Sequence, residues 1–431
     1  NGRIYYRISN WYDVLNLLPF SNRIIPIWQN MLGVNNKEVK FNRKVSKKTK
    51  IKVAKQFINL ILTSPSKMIA LNEYFESSIA EYKSSIDKCE TVRELLDTYN
   101  KLMTELTDVW DITLVNDMYT FLFTALSGEK GKKELANIKN LESMKPVIEL
   151  NNLVKIYNIQ GESSFFLDKE KEYIENYGDR CLEELKLETK TYRTNPEILR
   201  EYIKNAEVLN LDTKAESKLT NFFTKRAKVG IYNREVSRMN RSRIYGLARE
   251  IMLRIGQEYK KFDLIENIDD IFYLRKDELH KQKDAKQLVM ERKHEIERYK
   301  SVPNYSRLEF IEKITNKRMI NANIDLDNNS KELVGVASST GKVKGEVLII
   351  DSPNINIDTN NKIIVTKTTD PGWVFLIKNS LGIIAEKGSM LSHTAIITRE
   401  LGKPSIVNVK DVTKILKTGD IVELDAYNGA V

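Results

Sequence analysis

Cysteine, histidine and proline are scarce in this sequence. Its 431 residues include two cysteines, three histidines and nine prolines. The cysteines, Cys89 and Cys181, lie far apart and form no CxxC pair, a pattern that argues against a disulfide framework and against a zinc site. We therefore expect a reduced, cytoplasmic protein without a bound metal.

Long apolar segments are missing as well. No run of about 18 or more apolar residues occurs, so the sequence predicts no membrane-spanning helix and no membrane partner. The first residues contain no apolar segment typical of a secretory signal peptide. No Gly-rich phosphate loop and no set of Mg-binding carboxylates is recognisable, so we expect this chain to hold no cofactor of its own.

Positive charge is in excess, with a formal net charge of +10. Such an excess raises the hypothesis of a nucleic-acid partner. The densest basic run, Lys44 to Lys55, contains no aromatic residues on which bases would stack. A solvated helix face explains the run better, and we expect no nucleic-acid partner.

The hydrophobic pattern changes near residue 330. Before this point the period is helical, and Thr91 with Glu94 forms a capping-box pattern at the start of one helix. Helices are also predicted over 51–62 and 67–85, and Gly128 to Lys133 is interpreted as a loop. After this point short β-branched runs alternate with turn residues and short helical patterns, which is typical of a small α/β domain. These strand candidates are Glu346–Ile350, Lys362–Thr366, Gly382–Ala385, Ser405–Val407 and Ile421–Leu424.

The predicted fold is therefore a large, mostly α-helical domain followed by a small α/β domain. The boundaries are a helical domain over 1–320, a linker or hinge over 321–333, and the α/β domain over 334–431. The linker contains the polar segment Asn321 to Ser330, whose composition suits a flexible connection.

Among the histidines, His393 has an unusual setting. His280 and His294 lie in a Lys- and Glu-rich helical stretch, which indicates a solvated face. His393 follows the segment Gly388-Ser389-Met390-Leu391-Ser392, and a helix is predicted to begin near Ser392. An imidazole is a nucleophile at neutral pH, and a helix N-terminus stabilises an attached phosphate. A phosphoryl carrier and a capped histidine at a loop–helix junction are both compatible with this pattern.

The segments Thr369 to Trp373 (TDPGW) and Gly382 to Val407 resemble the swivelling phosphohistidine domain of phosphoenolpyruvate synthase, pyruvate phosphate dikinase and rifampin phosphotransferase. The signature of that domain reads Gly-Gly-Met-x-Ser-His-x-Ala-Ile-x-x-Arg-Glu-x-Gly-x-Pro-x-Val. The sequence departs from the family where Thr340 replaces the proline of a Ser-Pro-Gly turn and Ser389 replaces the second glycine of the signature.

The resemblance implies that His393 accepts the β-phosphoryl group of ATP and passes it on. The residues expected to stabilise the phosphate are Gly388, Ser389, Ser392, Thr394 and Arg399. Arg399 matches the family arginine, and its alternative role is packing or pairing with a neighbouring acid.

The helical part resembles the family more weakly. Asp270 to Leu274, with Glu278 and Leu279, looks like the segment that precedes the swivelling domain. Tyr177 to Arg180 looks like a family stretch in which histidine usually stands where Asp179 is. In rifampin phosphotransferase the domain order is an ATP-grasp domain, a helical acceptor-binding domain and the histidine domain. This chain matches the second and third of these domains.

The implied partners are an ATP-grasp domain, in the same parent chain or a separate subunit, and a small-molecule acceptor. ATP and Mg would be bound by that ATP-grasp domain. The acceptor would be a rifamycin-like antibiotic or another hydroxyl compound. The alternatives are a phosphoenolpyruvate synthase relative acting on pyruvate and a non-catalytic basic helical binding module.

On the acceptor side, Arg234, Arg238 and Arg241 fall on one predicted helix face with Glu235 beside them. This face suits a phosphate, but an ordinary charged helix face is the simpler interpretation. An apolar acceptor pocket or, alternatively, the protein core would contain Met118, Tyr119, Phe121, Phe165 and Phe166.

Overall fold

A computed structural model describes most of the chain. The described residues are 9–17, 21–22, 25–26, 46–136, 138, 141–180, 185–206, 208, 221–279, 285–300, 333–351, 357–369, 373–388 and 392–431. They fall into two compact units, which we describe separately. Counted over the described residues, one unit lies within 255–300, and the other lies within 9–254 and 333–431. The predicted linker over 321–333 lies, except for Leu333, outside the described residues, so this boundary stays a prediction.

The second unit begins with helices. They are α1 (Ser9–Asn16), α2 (Lys47–Asp87), α3 (Val92–Asp108), α4 (Asp111–Leu126), α5 (Gly128–Ala136), α6 (Lys145–Gln160), α7 (Ser164–Tyr177), α8 (Pro196–Asn205) and α9 (Phe222–Lys261), with a 3₁₀ turn at Glu142–Met144. The predicted capping box of α3 is confirmed, because the Thr91 hydroxyl accepts from the Glu94 amide and the Glu94 carboxylate accepts from the Thr91 amide. Among the described residues, no helix is both long and apolar enough to cross a membrane.

Helices α2, α4 and α9 pack together as a bundle. α2 runs parallel to α9: the Asn240 side chain donates to that of Asn72, and further along both helices Arg254 pairs with Asp87. α4 runs antiparallel to α9: the Asn116 side chain donates to the Gly230 carbonyl, and Asn221 donates to the Ser127 carbonyl at the other end. We call α2, α4 and α9 the helical bundle.

Two local predictions for this unit are wrong. Gly128 to Lys133 is part of α5 and not a loop. A Cβ atom at Gly131 would lie 2.6 Å from the Ser127 Cβ and 2.6 Å from the Thr224 hydroxyl. This glycine therefore permits close helix packing. The predicted helices over 51–62 and 67–85 form a single helix, α2, which continues through Pro65.

The first unit contains the end of α9, 3₁₀ turns at Ile268–Tyr273 and Lys276–Glu278, and α10 (Ala285–Lys300). Arg292 of α10 binds Glu278 through two nitrogens, at 2.6 and 2.5 Å. Lys293 pairs with the buried Asp270 at 2.6 Å. These ion pairs fasten α10 to the turns that precede it.

Residues Leu333–Val431 form the predicted α/β domain, which we call the C-terminal domain. Its strands are β1 (Val336–Ser339), β2 (Lys342–Ile349), β3 (Lys362–Thr366), β4 (Gly382–Ala385), β5 (Ser405–Val407) and β6 (Ile421–Asp425). Its helices are α11 (Val374–Asn379), α12 (His393–Glu400) and α13 (Val412–Ile415). The predicted strands are thus present, and the predicted fold class is confirmed.

The sheet order is β1-β5-β4-β3-β2-β6. The four central strands are parallel, and the two edge strands pair antiparallel to their neighbours. The central strands β3 and β4 are buried on both faces, as parallel strands usually are. On one face α13 contributes Val412 to a core with Ile363 and Ile384. On the other face α11 and α12 cover Ile364 and Ile383.

The second face of this sheet also includes residues of the helical part. Met144 and Val147 belong to the same buried cluster as Ile364, Trp373 and Ile383. Conversely, Ile396 of α12 belongs to a buried cluster whose other members all precede residue 232. Those members are Ile61, Tyr119, Phe123, Leu135, Ile138, Leu141, Ala227 and Ile231. The C-terminal domain is therefore seated on the helical part through its α12 side.

Candidate functional site

The candidate site lies where β3 and β4 end. These neighbouring strands are parallel, so their carboxyl ends lie at the same edge of the sheet, where open α/β sheets bind ligands. The pairing continues beyond the strands, because the amides of Glu386 and Lys387 donate to the carbonyls of Thr366 and Lys367, each at 2.9 Å. The loop after β3 and the loop after β4 consequently run side by side toward α12.

The turn after β4 requires glycine at one position. Gly388 has φ +149°, a backbone conformation that side chains disfavour. A Cβ atom there would lie 3.0 Å from the Val407 Cβ and 3.1 Å from the Ser392 hydroxyl. Gly388 therefore lets the chain turn tightly against β5 before α12 begins.

Helix α12 starts at His393, as predicted. Its N-cap is Ser392, in an extended conformation, whose hydroxyl accepts from the Ala395 amide at 3.4 Å. The remaining amides of the first turn have no partner within the helix, and the positive end of the helix dipole favours an anion there. The side chain of His393 and the residues Ser389, Met390 and Leu391 lie outside the described part of the chain.

Thr394 is a predicted site residue that the structure ties to a second loop. Its side chain is buried, and its hydroxyl lies 2.7 Å from the hydroxyl of Thr369 in the loop after β3. Thr369 is not among the predicted site residues. Its place in the TDPGW segment was the available signal.

Behind Thr394, a chain of buried hydroxyl groups joins α12 to the sheet. The Thr398 hydroxyl donates to the Thr394 carbonyl at 2.8 Å and lies 2.7 Å from the Ser405 hydroxyl. The Ser405 hydroxyl in turn lies 2.6 Å from that of Ser338. These contacts fix α12 against β5 and β1. The contact between Ser405 and Ser338 joins residues 67 positions apart, so no local pattern indicates it.

Arg399 occupies the last turn of α12, on the side of β1. Its Nε donates to the Ser338 carbonyl at 2.6 Å. Burial lowers the pKa of Arg399 to about 10, which still leaves the guanidinium charged at neutral pH. This contact fits the packing alternative for Arg399, while its role toward a phosphate stays a prediction.

The acceptor-side arginines lie on α9. Arg234 pairs with Asp117 of α4 at 3.2 Å, and burial lowers its pKa. Arg238 donates to Glu235 at 3.0 Å, and the Glu235 side chain is 1% exposed. Arg241 follows on the same helix and is half-buried. Ile231, one turn before Arg234, shares a buried cluster with Ile396 of α12. The structure therefore brings the start of this arginine face close to the helix that begins at His393.

The apolar candidates do not form one pocket. Tyr119 is buried in the cluster that receives Ile396, whereas Phe166 is buried in a separate cluster of α6, α7 and α8. Phe165 is half exposed. Met118 packs against the cluster of Tyr119, and Phe121 is half-buried. Tyr119 and Phe166 are thus core residues, in agreement with the simpler interpretation.

Asp179, which stands where the family usually has histidine, is buried and pairs with Arg193 at 2.9 Å. Burial raises the pKa of its carboxyl group, and the neighbouring Arg193 opposes this shift. A Cβ atom at Gly246 would lie 2.2 Å from the Asp179 carboxyl carbon, so this carboxylate lies directly on α9. Within the described part of the chain, no group of three or more metal-binding side chains occurs.

These observations define a small α/β domain in which a capped helix begins at a histidine. Residues 358–429, which include His393, match the family model for the mobile domain of PEP-utilising enzymes. The resemblance inferred from the signature is confirmed by this match.

Relatives with curated names agree with the match. The chain is 27% identical to a rifampicin phosphotransferase of Bacillus cereus over 196 residues, 43% of this chain and 22% of that protein. It is 40% identical to a probable phosphoenolpyruvate synthase of Pyrococcus abyssi over 100 residues, 23% of this chain and 12% of that protein. The matched regions thus span about a fifth or less of these relatives, which support phosphoryl transfer as the general chemistry.

Proposed function

We propose that this chain is the acceptor-side part of a phosphotransferase in which His393 carries the phosphoryl group as a covalent intermediate. The observation that supports the proposal most directly is the capped start of α12 at His393, within a segment that matches the mobile domain of PEP-utilising enzymes. The free amides of that turn and the helix dipole would stabilise the added charge.

The proposed reaction has two steps. First, a nitrogen of the His393 imidazole attacks the β-phosphorus of ATP, so that an N–P bond forms, the bond between the α- and β-phosphates breaks and AMP leaves. Water then attacks the γ-phosphorus, the bond between the β- and γ-phosphates breaks and inorganic phosphate leaves, so that the β-phosphoryl group stays on His393. Second, the hydroxyl oxygen of the acceptor attacks the phosphorus, the N–P bond breaks and the hydroxyl proton is released. Holding the group covalently keeps it from water, and docking of the C-terminal domain would orient it toward the acceptor.

ATP and Mg would be bound by an ATP-grasp domain, in the same parent chain or as a separate subunit. On this chain, Gly388, Ser389, Ser392 and Thr394 are close to His393 in the sequence, and we propose that they accommodate the phosphate. Arg234 and Arg238 are the acceptor-side groups that we propose for the second step. Two guanidinium groups near a transferring phosphoryl would stabilise its charge in the transition state.

We propose a hydroxyl-bearing small molecule as the acceptor, with a rifamycin-like antibiotic as the first candidate. The match to rifampicin phosphotransferase covers 43% of this chain, against 23% for the match to phosphoenolpyruvate synthase. Pyruvate is the second candidate, favoured by the higher identity of the shorter match. The general alternative, a binding module without catalysis, requires that His393 carry no phosphate.

The carrier step is tested with the full-length protein that contains this chain. ATP labelled at the β-phosphorus is added, digestion is carried out under alkaline conditions that preserve phosphohistidine, and the labelled peptide is mapped by mass spectrometry. We expect the label on the peptide that contains His393 and its loss in His393→Ala. The matched control is His294→Ala, which changes an exposed histidine of α10 and should retain the label.

Label on another residue, or unchanged labelling in His393→Ala, would contradict the carrier role and favour the binding module. Once the carrier is established, the labelled protein is incubated separately with rifampicin and with pyruvate. Loss of label to rifampicin supports the first acceptor and loss to pyruvate supports the second. Retention with both leaves the carrier intact and directs the search to other hydroxyl compounds.

A further inference from the structure

Ile396 is buried by a different part of the molecule than its neighbours on α12. Ala395 and Thr398 are buried next to the strands of their own domain, and Ile397 belongs to the core that contains Ile364 and Ile383. Ile396 is 4% exposed, but its buried cluster is made of residues of α2, α4, α5 and α9 and the segment after α5. Among the described residues, it is the one member of that cluster that the C-terminal domain contributes, so its burial depends on the docking of that domain.

A second contact crosses the same boundary in the opposite direction. Met144 and Val147, at the start of α6, are 2% and 8% exposed and lie in the core cluster of the C-terminal domain. The two contacts interlock: one isoleucine of the C-terminal domain enters the helical part, and two residues of the helical part enter the C-terminal domain. Rotation of the C-terminal domain away from the helices must expose all three side chains to water, which apolar burial opposes.

The position of Ile396 relative to His393 links this contact to the candidate site. His393 precedes Ile396 by three residues, one turn of the same helix, and positions three apart lie on the same side of a helix. On the receiving side, Ile231 lies one turn before Arg234. The contact between Ile396 and the helical bundle therefore determines which part of α9 is presented to the first turn of α12.

We propose that Ile396 is a positioning residue, which docks the C-terminal domain on the helical bundle so that the turn beginning at His393 is held beside the arginine face of α9. Burial of Ile396 in the docked state favours transfer of the phosphoryl group to the acceptor. Undocking of the C-terminal domain leaves the start of α12 accessible to a separate phosphate donor. The docking part stands on the packing alone. The effect on the two steps rests on the proposed function.

Docking is measured through a thiol placed at the interlocked contact. In a Val147→Cys background, the thiol reacts with a disulfide reagent only when the C-terminal domain separates from α6, so the reaction rate reports the undocked population. The labelled cysteine is identified by peptide mapping, which separates it from Cys89 and Cys181. We expect Ile396→Ala to raise the labelling rate about tenfold or more, because the removed methyl and methylene groups no longer favour the docked state.

Two further variants make the result specific. Ile231→Ala truncates a residue of α9 in the buried cluster that contains Ile396 and leaves the C-terminal domain unchanged, so it should raise labelling similarly even if Ile396→Ala fails to fold. Ile415→Ala makes the same substitution at a half-exposed position of the C-terminal domain and should leave the rate unchanged. Unchanged labelling in Ile231→Ala, or an equal rise in Ile415→Ala, would overturn the docking role.

The functional part is measured in the full-length protein with ATP labelled at the β-phosphorus. In Ile396→Ala, we expect labelling of His393 to be as fast as in the wild type or faster. Transfer of the label to the acceptor identified above should be about tenfold slower. Equal slowing of both steps would reject the positioning role, while absence of label in the wild type would reject the proposed function and leave the thiol measurement to decide on docking.

Discussion

The hydroxyl oxygens of Thr369 and Thr394 lie 2.7 Å apart and join the loop after β3 to the first turn of α12. Thr394 is the residue directly after His393, so this contact fixes the backbone on which the imidazole is carried. The two residues are 25 positions apart in the chain. The contact therefore couples the position of the loop after β3 to that of the first turn of α12.

Thr369→Val should slow phosphorylation of His393 about tenfold, because the first turn of α12 loses its contact with the neighbouring loop. The free energy of unfolding should fall by about 1 kcal/mol, the usual contribution of one hydrogen bond. Labelling with β-labelled ATP and thermal unfolding measure the two effects. Thr368→Val, in the same loop at an exposed position, is the matched control and should change neither.

Ser392→Ala should destabilise α12, because the hydroxyl that accepts from the Ala395 amide is lost. The expected cost is about 1 kcal/mol in the free energy of unfolding. Ser163→Ala removes the equivalent cap from α7, where the serine hydroxyl accepts from the Phe166 amide at 3.2 Å. Both variants should lose similar stability, and Ser392→Ala alone should also slow phosphorylation of His393. Equal labelling rates in the two variants would argue against a role of the cap in the site.

Acid should weaken the unit that contains α10. Hydrogen bonds from Arg292 and from the Arg275 amide lower the pKa of Glu278 to about 2, from its ordinary value of 4.5. A carboxylate with a lowered pKa in the folded state contributes stability that is complete above the unfolded value and is lost as pH falls toward the folded value. The loss should therefore occur between pH 4.5 and about 2.

Glu278→Gln tests this origin. At pH 7 the variant should be less stable by about 1–2 kcal/mol, since the bidentate contact with Arg292 is lost. Its stability should also depend less on pH in the acid window. Glu291→Gln, which changes an exposed residue whose recorded partner is the neutral Gln287, is the control and should behave as the wild type. Urea unfolding at a series of pH values provides the comparison.

Gly131→Ala should destabilise the packing of α5 on α9. The added Cβ atom would lie 2.6 Å from the Thr224 hydroxyl, closer than side chains pack. We expect a loss of about 1–3 kcal/mol, typical of overpacking in a tight contact. Lys130→Ala, one residue earlier and exposed, should have no comparable effect on thermal unfolding. A more stable Gly131→Ala variant would show that helix propensity outweighs the close contact.

The C-terminal domain was largely predictable from its sequence, because local patterns determine its parts. The runs Lys362–Thr366 and Gly382–Ala385 are β-branched or apolar and bounded by turn residues, and both are strands with the predicted limits. The start of α12 followed from Ser392, which is a good N-cap residue followed by a helical pattern.

The two failures in the helical part concern residues that often interrupt helices. Gly131 lies in the segment interpreted as a loop, and Pro65 lies between the predicted helices over 51–62 and 67–85. Gly131 lies in a helix because its neighbours leave no room for a side chain, and Pro65 is carried within a helix of 41 residues. Glycine marks a turn and a close approach equally, and a single sequence does not distinguish these uses.

The site was predictable only in part. Gly388, Ser392 and Thr394 lie within the signature and next to His393 in the chain. Thr369, in the loop after β3, and Ser338 and Ser405, in β1 and β5, contact α12. Prediction of these contacts requires the order of the strands in the sheet, which the sequence alone does not provide. The burial of Ile396 among residues of five other segments likewise depends on tertiary structure that the sequence alone does not provide.

Met144 and Val147 complete a hydrophobic core that otherwise belongs to residues some 200 positions later in the chain. A fragment that began at Leu333 would lack these two members of the cluster and would expose apolar surface of the C-terminal domain, and exposed apolar patches promote self-association. Expression of the C-terminal domain alone would therefore require polar substitutions on that face. The boundary of the C-terminal domain in the sequence therefore differs from the boundary of its hydrophobic core, which includes residues of the helical part.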